Sequence, residues 1–127
     1  MRELKFRQPI FSQKGEFVTW HFFDINKTEI SENSKATYTY RNKHPKPAYQ
    51  FIGLKSRDGK DIYDGDIVTY YNQYSNTTYK HLVKWNNEFA CFALYGKGDE
   101  YCEEMDWCAI KDIRIIGNIY QNSEILS

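Results

Sequence analysis

Long apolar runs are absent from this sequence. The opening residues, MRELKFRQPIFSQKGEF, set charges on both sides of each apolar pair, which leaves no hydrophobic core for a signal peptide. No later segment approaches the roughly 20 apolar residues of a membrane-spanning helix. A cytoplasmic protein with no membrane partner is expected. An excess of one charge is absent too: Lys plus Arg and Asp plus Glu number 17 each. No global field gathers a polyanion, and any nucleic-acid site has to be a local patch. Cysteine is scarce, and its count of 3 is odd. Cys91, Cys102 and Cys108 fit reduced thiols better than a disulfide framework, so the glycosylation-like triplets at Asn26 and Asn76 carry no meaning in such a chain.

Chemical motifs are missing as well. There is no P-loop, no dinucleotide-binding glycine pattern and no serine nucleophile elbow. Cys102 and Cys108 have five residues between them, and neither pairs with another ligand at zinc spacing. The neighbours Glu100, Glu103 and Glu104 are expected to raise the Cys102 thiol pKa, against a nucleophilic role. Asp58, Asp61, Asp64 and Asp66 do not follow the calcium-loop order, and turn chemistry accounts for each. Glu103, Glu104 and Asp106 have no nucleophile, phosphate cradle or oxyanion donor beside them. No catalytic residue, cofactor or metal site is expected.

What is present in quantity is aromatic: 17% of the 127 residues, including 11 Tyr. Such a composition favours β structure first and a binding face second. The length suits one domain, or a small barrel with an ordered N-terminal part. Leu4 and Phe6 alternate with Lys5 and Arg7 as in a half-buried strand, which Pro9 ends or places at an edge. After a turn at Gln13-Lys14-Gly15, residues 16–23 read as a second strand that can pair with the first. Residues 24–35 read as a surface loop, 37–40 as a short strand and 41–47 as an extended linker. Further on, 67–74 and 77–85 are strand-like around a two-residue turn at Ser75-Asn76. Asn86-Asn87 turns the chain into 89–95, a central barrel strand. An acidic loop fills 96–106, 107–110 is a 3₁₀ turn or bridge, and 113–120 closes the sheet with Gly117 allowing a bulge or bend. The last residues begin a helical turn.

The organising stretch is YQFIGLKSRDGKDIYDGDIVTY, residues 49–70: two short strands and the start of a third, turned by Asp58-Gly59 and by Asp64-Gly65-Asp66. Its segment QFIGLKSRDGKDIYDGDIV, residues 50–68, resembles the signature of the YopX family of phage and prophage proteins, roughly Q-[YF]-[TI]-G-L-K-D-x-x-G-K-x-I-Y-[ED]-G-D-I-V. It departs mainly at Ser56, where that family prefers aspartate. RELKFR at residues 2–7 and IIGNIYQNSEIL at 115–126, similar to a closing V-I-G-N-I-Y-E-N-P-E-L-L, flank it in matching order. The resemblance implies an N-terminal segment before a small SH3-like β roll, a phage origin and no established activity. It brings no catalytic residues. Expected, then, is a mainly β protein with an N-terminal β segment and linker over 1–47 and an SH3-like roll or barrel over 48–127. Gly53, Asp58, Gly59, Gly65, Asp66 and Gly117 serve as its structural positions.

For function, three classes stay open. The first is a non-enzymatic binding or adaptor module in the cytoplasm of a bacterial host, self-associating as a homo-oligomer or contacting a host or phage protein, because tyrosine-rich β surfaces suit interfaces. The second is a nucleic-acid-binding accessory protein. It uses the basic run Arg41, Lys43 and Lys46 with Tyr70, Tyr71 and Tyr74, rings to stack bases and cations to follow phosphates. Against it, alternation turns half of those tyrosines into the core and the basic run is a solvated linker. An enzyme is third, and would need a concave pocket of perturbed carboxylates.

Overall fold

The structure, a computed structural model, describes residues 4–24, 48–105 and 110–126. Among these are nine strands and one 3₁₀ turn: β1 (Lys5–Phe11), β2 (Phe17–Asp24), β3 (Tyr49–Lys55), β4 (Asp61–Tyr63), β5 (Asp66–Asn72), β6 (Thr77–Asn86), β7 (Cys91–Gly96), β8 (Glu100–Glu104), β9 (Ile110–Asn118) and the turn Ser123–Ile125. The protein is mainly β. It divides into two compact units, Met1–Phe51 and Ile52–Ser127. Of the loop, short strand and linker expected over 24–47, residues 25–47 lie outside the described residues, and so do 107–109 of the turn expected over 107–110; Asp24 belongs to β2 and Ile110 to β9.

In the first unit, β1 and β2 form the expected antiparallel hairpin, from Lys5 opposite Asp24 to Phe11 opposite Phe17. Its turn depends on Gly15 at φ +85 and on the Ser12 N–H donating to the Glu16 carbonyl at 2.8 Å. Phe6 stacks on Phe23 with ring centroids 5.6 Å apart, and the buried Arg7 guanidinium lies 3.8 Å from the Trp20 ring centre, a favourable pairing of cation and π-face. Pro9 does not end β1, which runs on to Phe11 with Pro9 opposite Trp20. The ladder from β3 reaches only Phe6 and Arg7. Pro9 therefore sits at a local edge, where a residue without an N–H is tolerated.

In the second unit, β4 lies beside β3, and five strands form an antiparallel sheet in the order β8-β7-β6-β5-β9. The β3–β4 connection is held by Ser56, whose N–H donates to the Lys60 carbonyl at 2.8 Å while its Oγ accepts from the Lys60 N–H at 3.1 Å and donates to Asp58. A serine thus does the capping that an aspartate would do, without placing a second carboxylate beside Asp58. Gly59 has φ +83 and Gly65 φ +92. At the second turn the Asp66 carboxylate accepts the Tyr63 N–H at 2.8 Å, the Gly65 N–H donates to the Val83 carbonyl at 2.8 Å, and the Gly65 carbonyl accepts the Ile119 N–H at 3.1 Å.

Alternation gives the sheet two apolar faces. On one, Val68, Tyr70, Val83, Leu94, Ile110 and Ile113 pack with Ile52 and Ile62. On the other, Ile67, Leu82, Ala93 and Tyr95 are covered by Ile119, Ile125 and Leu126. The C-terminal turn is fixed by Asn118, whose Oδ1 accepts the N–H groups of Tyr120 and Gln121 at 2.9 and 3.1 Å. Gly117 faces Ile67, beside an irregularity in the β5–β9 ladder. A Cβ there would lie 2.6 Å from the Cβ of Asn122, so the turn closes only on a glycine.

The sequence misplaces several elements. The β5–β6 turn is four residues, 73–76, with Asn76 at φ +57. β7 starts at Cys91, because Phe89 and Ala90 belong to the turn, Ala90 at φ +52. The acidic stretch read as a loop contains β8, which flanks β7. β9 begins at Ile110, three residues early, and absorbs a bulge around Asp112, itself at φ +58.

Candidate functional site

The densest group of polar side chains lies on the concave face of the five-stranded sheet. β5 contributes Tyr70 and Asn72, β6 His81, and β8 Glu103. The Tyr70 hydroxyl donates to Glu103 Oε1 at 2.6 Å, and Asn72 Nδ2 donates to Glu103 Oε2 at 2.9 Å. A carboxylate only accepts, so the single hydroxyl proton of Tyr70 goes to Glu103. The bond to His81 Nδ1, 2.7 Å long, must then be donated by the imidazole, which fixes the Nδ1–H tautomer. Tyr79 stacks on His81 with centroids 5.3 Å apart and planes 17° from parallel.

This group reports the shape of the sheet. β5 and β8 are three strand positions apart, roughly 14 Å in a flat sheet, farther than a Tyr and a Glu side chain can span edge to edge while standing perpendicular to it. Their direct bond requires the sheet to curl around this face. Electrostatics agree with a protected interior: burial and the Glu103 carboxylate push the Tyr70 phenol far up, and burial lowers the His81 pKa against the opposing pull of Glu103 and Glu100. Tyr70 keeps its proton, and burial favours the neutral form of His81 near pH 7.

The residues picked from the sequence as nucleic-acid contacts separate widely. Arg41, Lys43 and Lys46 lie outside the described residues. Tyr70, at 1% exposure, belongs to the core rather than to a contact surface, since even-numbered positions of β5 face inward. Tyr71 is half-buried with its hydroxyl on Asn76, and Tyr74 in the turn is 72% exposed. Gly53 stands at φ +90 with open space where a Cβ would be, and Asp58 is held by Ser56 and lies 3.7 Å from Lys60. Gly59, Gly65, Asp66 and Gly117 hold the turns described above. Cys102 is exposed, and its thiol is raised by burial first and by Glu100 and Glu103 after it, while Cys91 is half-buried. Cys108 lies outside the described residues. Among the described residues no three His, Cys, Asp or Glu side chains group to hold a metal ion.

Sequence reasoning placed Lys80 beside the tyrosines of the 70–80 hairpin, but missed the exposed rings near the β6–β7 hairpin and the cations that β9 adds to Lys80. Large rings are exposed around the β6–β7 hairpin, Trp85 on the concave side beside Phe92, and Phe89 and Tyr101 on the opposite side beside Tyr95. Cations line part of the convex face of the sheet at Lys80, Lys111 and Arg114. The alternation of Tyr79, His81, Val83 and Trp85 against Lys80, Leu82 and Lys84 was a legible signal for Trp85 and Lys80 alone. Its reading required knowing which face of β6 is covered.

The arrangement defines a small, mainly β protein whose signature residues Gly59, Gly65, Asp66 and Gly117 build turns. The chain belongs to the YopX family: residues 9–127, nearly its whole length, match the family described as YopX protein. No curated protein matches it.

Proposed function

We propose that this YopX-family chain is a non-enzymatic binding module of phage or prophage origin, working in the bacterial cytoplasm and contacting protein, first of all a second copy of itself. The observation that carries the reading is the set of braced rings around the β6–β7 hairpin. Trp85, Phe89 and Tyr101 are 42%, 53% and 38% exposed. Trp85 meets Phe92 edge-on at 5.0 Å and donates its Nε1–H to Asn87 at 2.8 Å. Phe89 lies 5.7 Å from Tyr101, which lies 5.8 Å from Tyr95. Rings already held in place lose little freedom on docking, and aromatic anchors dominate protein interfaces. A formal net charge of 0 leaves no strong repulsion between copies. The side chains best suited to chemistry, Tyr70, His81 and Glu103, are bonded to one another, which favours binding over catalysis.

Light scattering on the wild type and on Trp85→Ser/Phe89→Ser tests this. A defined oligomer is expected for the wild type, and a monomer with the same melting profile for the double variant. A wild type that stays monomeric at high concentration, or a variant of unchanged mass, overturns the reading.

A further inference from the structure

The convex face of the five-stranded sheet is covered only in part, and its open part carries cations. On β5, Ile67 packs beneath the C-terminal turn, and Thr69 and Tyr71 follow at period two on the same face. Directly opposed residues of antiparallel strands share a face. Thr69 lies between Lys80 of β6 and Arg114 of β9, and Tyr71 between Thr78 and Lys111. The bulge at Asp112 shifts the parity of β9, so Ile110, Ile113 and Ile115 all pack on the concave side while Lys111 and Arg114 both face away from it. Lys80, Lys111 and Arg114 are exposed, with Tyr71 half-buried among them.

Strand spacing places Lys80 and Arg114 about 10 Å apart across β5, with Lys111 about 7 Å farther along the sheet. Among the described residues neither Lys80 nor Lys111 has an ion-pair partner. Arg114 shares one carboxylate with Arg57: Asp112 Oδ1 lies 3.5 Å from Arg114 Nε and 2.6 Å from Arg57 Nη1. Two guanidinium groups on one carboxylate leave the site positive. A chain with no net charge has therefore gathered a local positive strip around an aromatic ring.

We propose that this strip binds single-stranded nucleic acid, with Lys80, Lys111 and Arg114 on backbone phosphates and Tyr71 offering a ring to a base. Charge complementarity calls for a polyanion. Tyr71, and the 72%-exposed Tyr74 in the adjoining turn, favour a polyanion with π-faces over an acidic peptide. The strip shares no residue with the rings around the β6–β7 hairpin, so either proposal can fail alone.

The test is fluorescence anisotropy with labelled oligothymidylate at several salt concentrations, on the wild type, Lys80→Ala/Lys111→Ala, Tyr71→Leu, and Lys14→Ala/Lys97→Ala as a charge-matched control, each first shown to melt as the wild type does. Saturable binding at low salt is expected. The Lys80→Ala/Lys111→Ala variant should lose tenfold or more in affinity, with the salt slope reduced by about 1.4 for two lost phosphate contacts. Tyr71→Leu should weaken binding several-fold, and the control should match the wild type. Absent binding at low salt overturns the proposal, as does an equal loss in the control. Polyglutamate binding as tightly as the oligonucleotide would show a surface for any polyanion and overturn it equally.

Discussion

Gly65 holds φ +92 between two hydrogen bonds, to Val83 and from Ile119, so its backbone has no freedom to relax around a side chain. A β-branched residue is strained there by about 1–3 kcal/mol. Gly65→Val is expected to lower stability by about 3 kcal/mol, read as a fall in the urea midpoint, with a smaller loss for Gly65→Ala. His81 makes a prediction in pH. Burial depresses its folded pKa, so the unfolded chain takes up a proton that the native state resists once the pH drops below the ordinary value of about 6.5. The stability present above that pH is lost as the pH falls through the folded value. Urea midpoints should therefore decline on acidification more steeply for the wild type than for His81→Gln, and equal slopes would show that the imidazole is not buried neutral. Gly65 was legible because turn chemistry is local. Tyr70 was not: a period of two says that Tyr70 and Tyr71 face opposite ways, but not which side other strands will cover.

Among the elements, β8 was hidden by its own chemistry. An edge strand is blunted against unwanted pairing by charge, and EYCEE carries so much that it looks like a loop. Its attachment rests on β7 and on the reach of Glu103 to Tyr70 and Asn72, contacts that local pattern does not announce. The closing segment GNIYQNSEIL shows the reverse. Its role as a closing element could be read, yet the need for Gly117 comes from Asn122 folding back to 2.6 Å from where a Cβ would lie. Gly117→Ala is expected to push the turn off Ile67 and Leu82. The check is hydrogen exchange: faster exchange at 119–126 with protection retained in β6 and β7. Unchanged protection at 119–126 would mean that the turn tolerates the methyl.

At the scale of the whole molecule, both apolar clusters are drawn from residues 52–126. A fragment spanning 48–127 keeps every one of those side chains and all of β3. It is expected to melt cooperatively with a β-type circular dichroism spectrum, and a noncooperative melt would show that the first 47 residues are needed for the core. The mainly β class was legible from aromatic content and alternation. Function was far less so. A formal net charge of 0 conceals the segregation of Lys80, Lys111 and Arg114 onto one face, which becomes visible only once β9 returns to pair with β5.

That return has a consequence for synthesis. β5 pairs on one side with β6, the next strand in the chain, and on the other with β9, where Val68 meets Ile115. At about 5–20 residues per second, β5 leaves the ribosome roughly 2 to 10 seconds before its second neighbour exists. Throughout that interval its unpaired N–H and C=O groups form a bare template for any other nascent strand. Crowded ribosomes translating this message abreast would be where the protein is most exposed to misassembly.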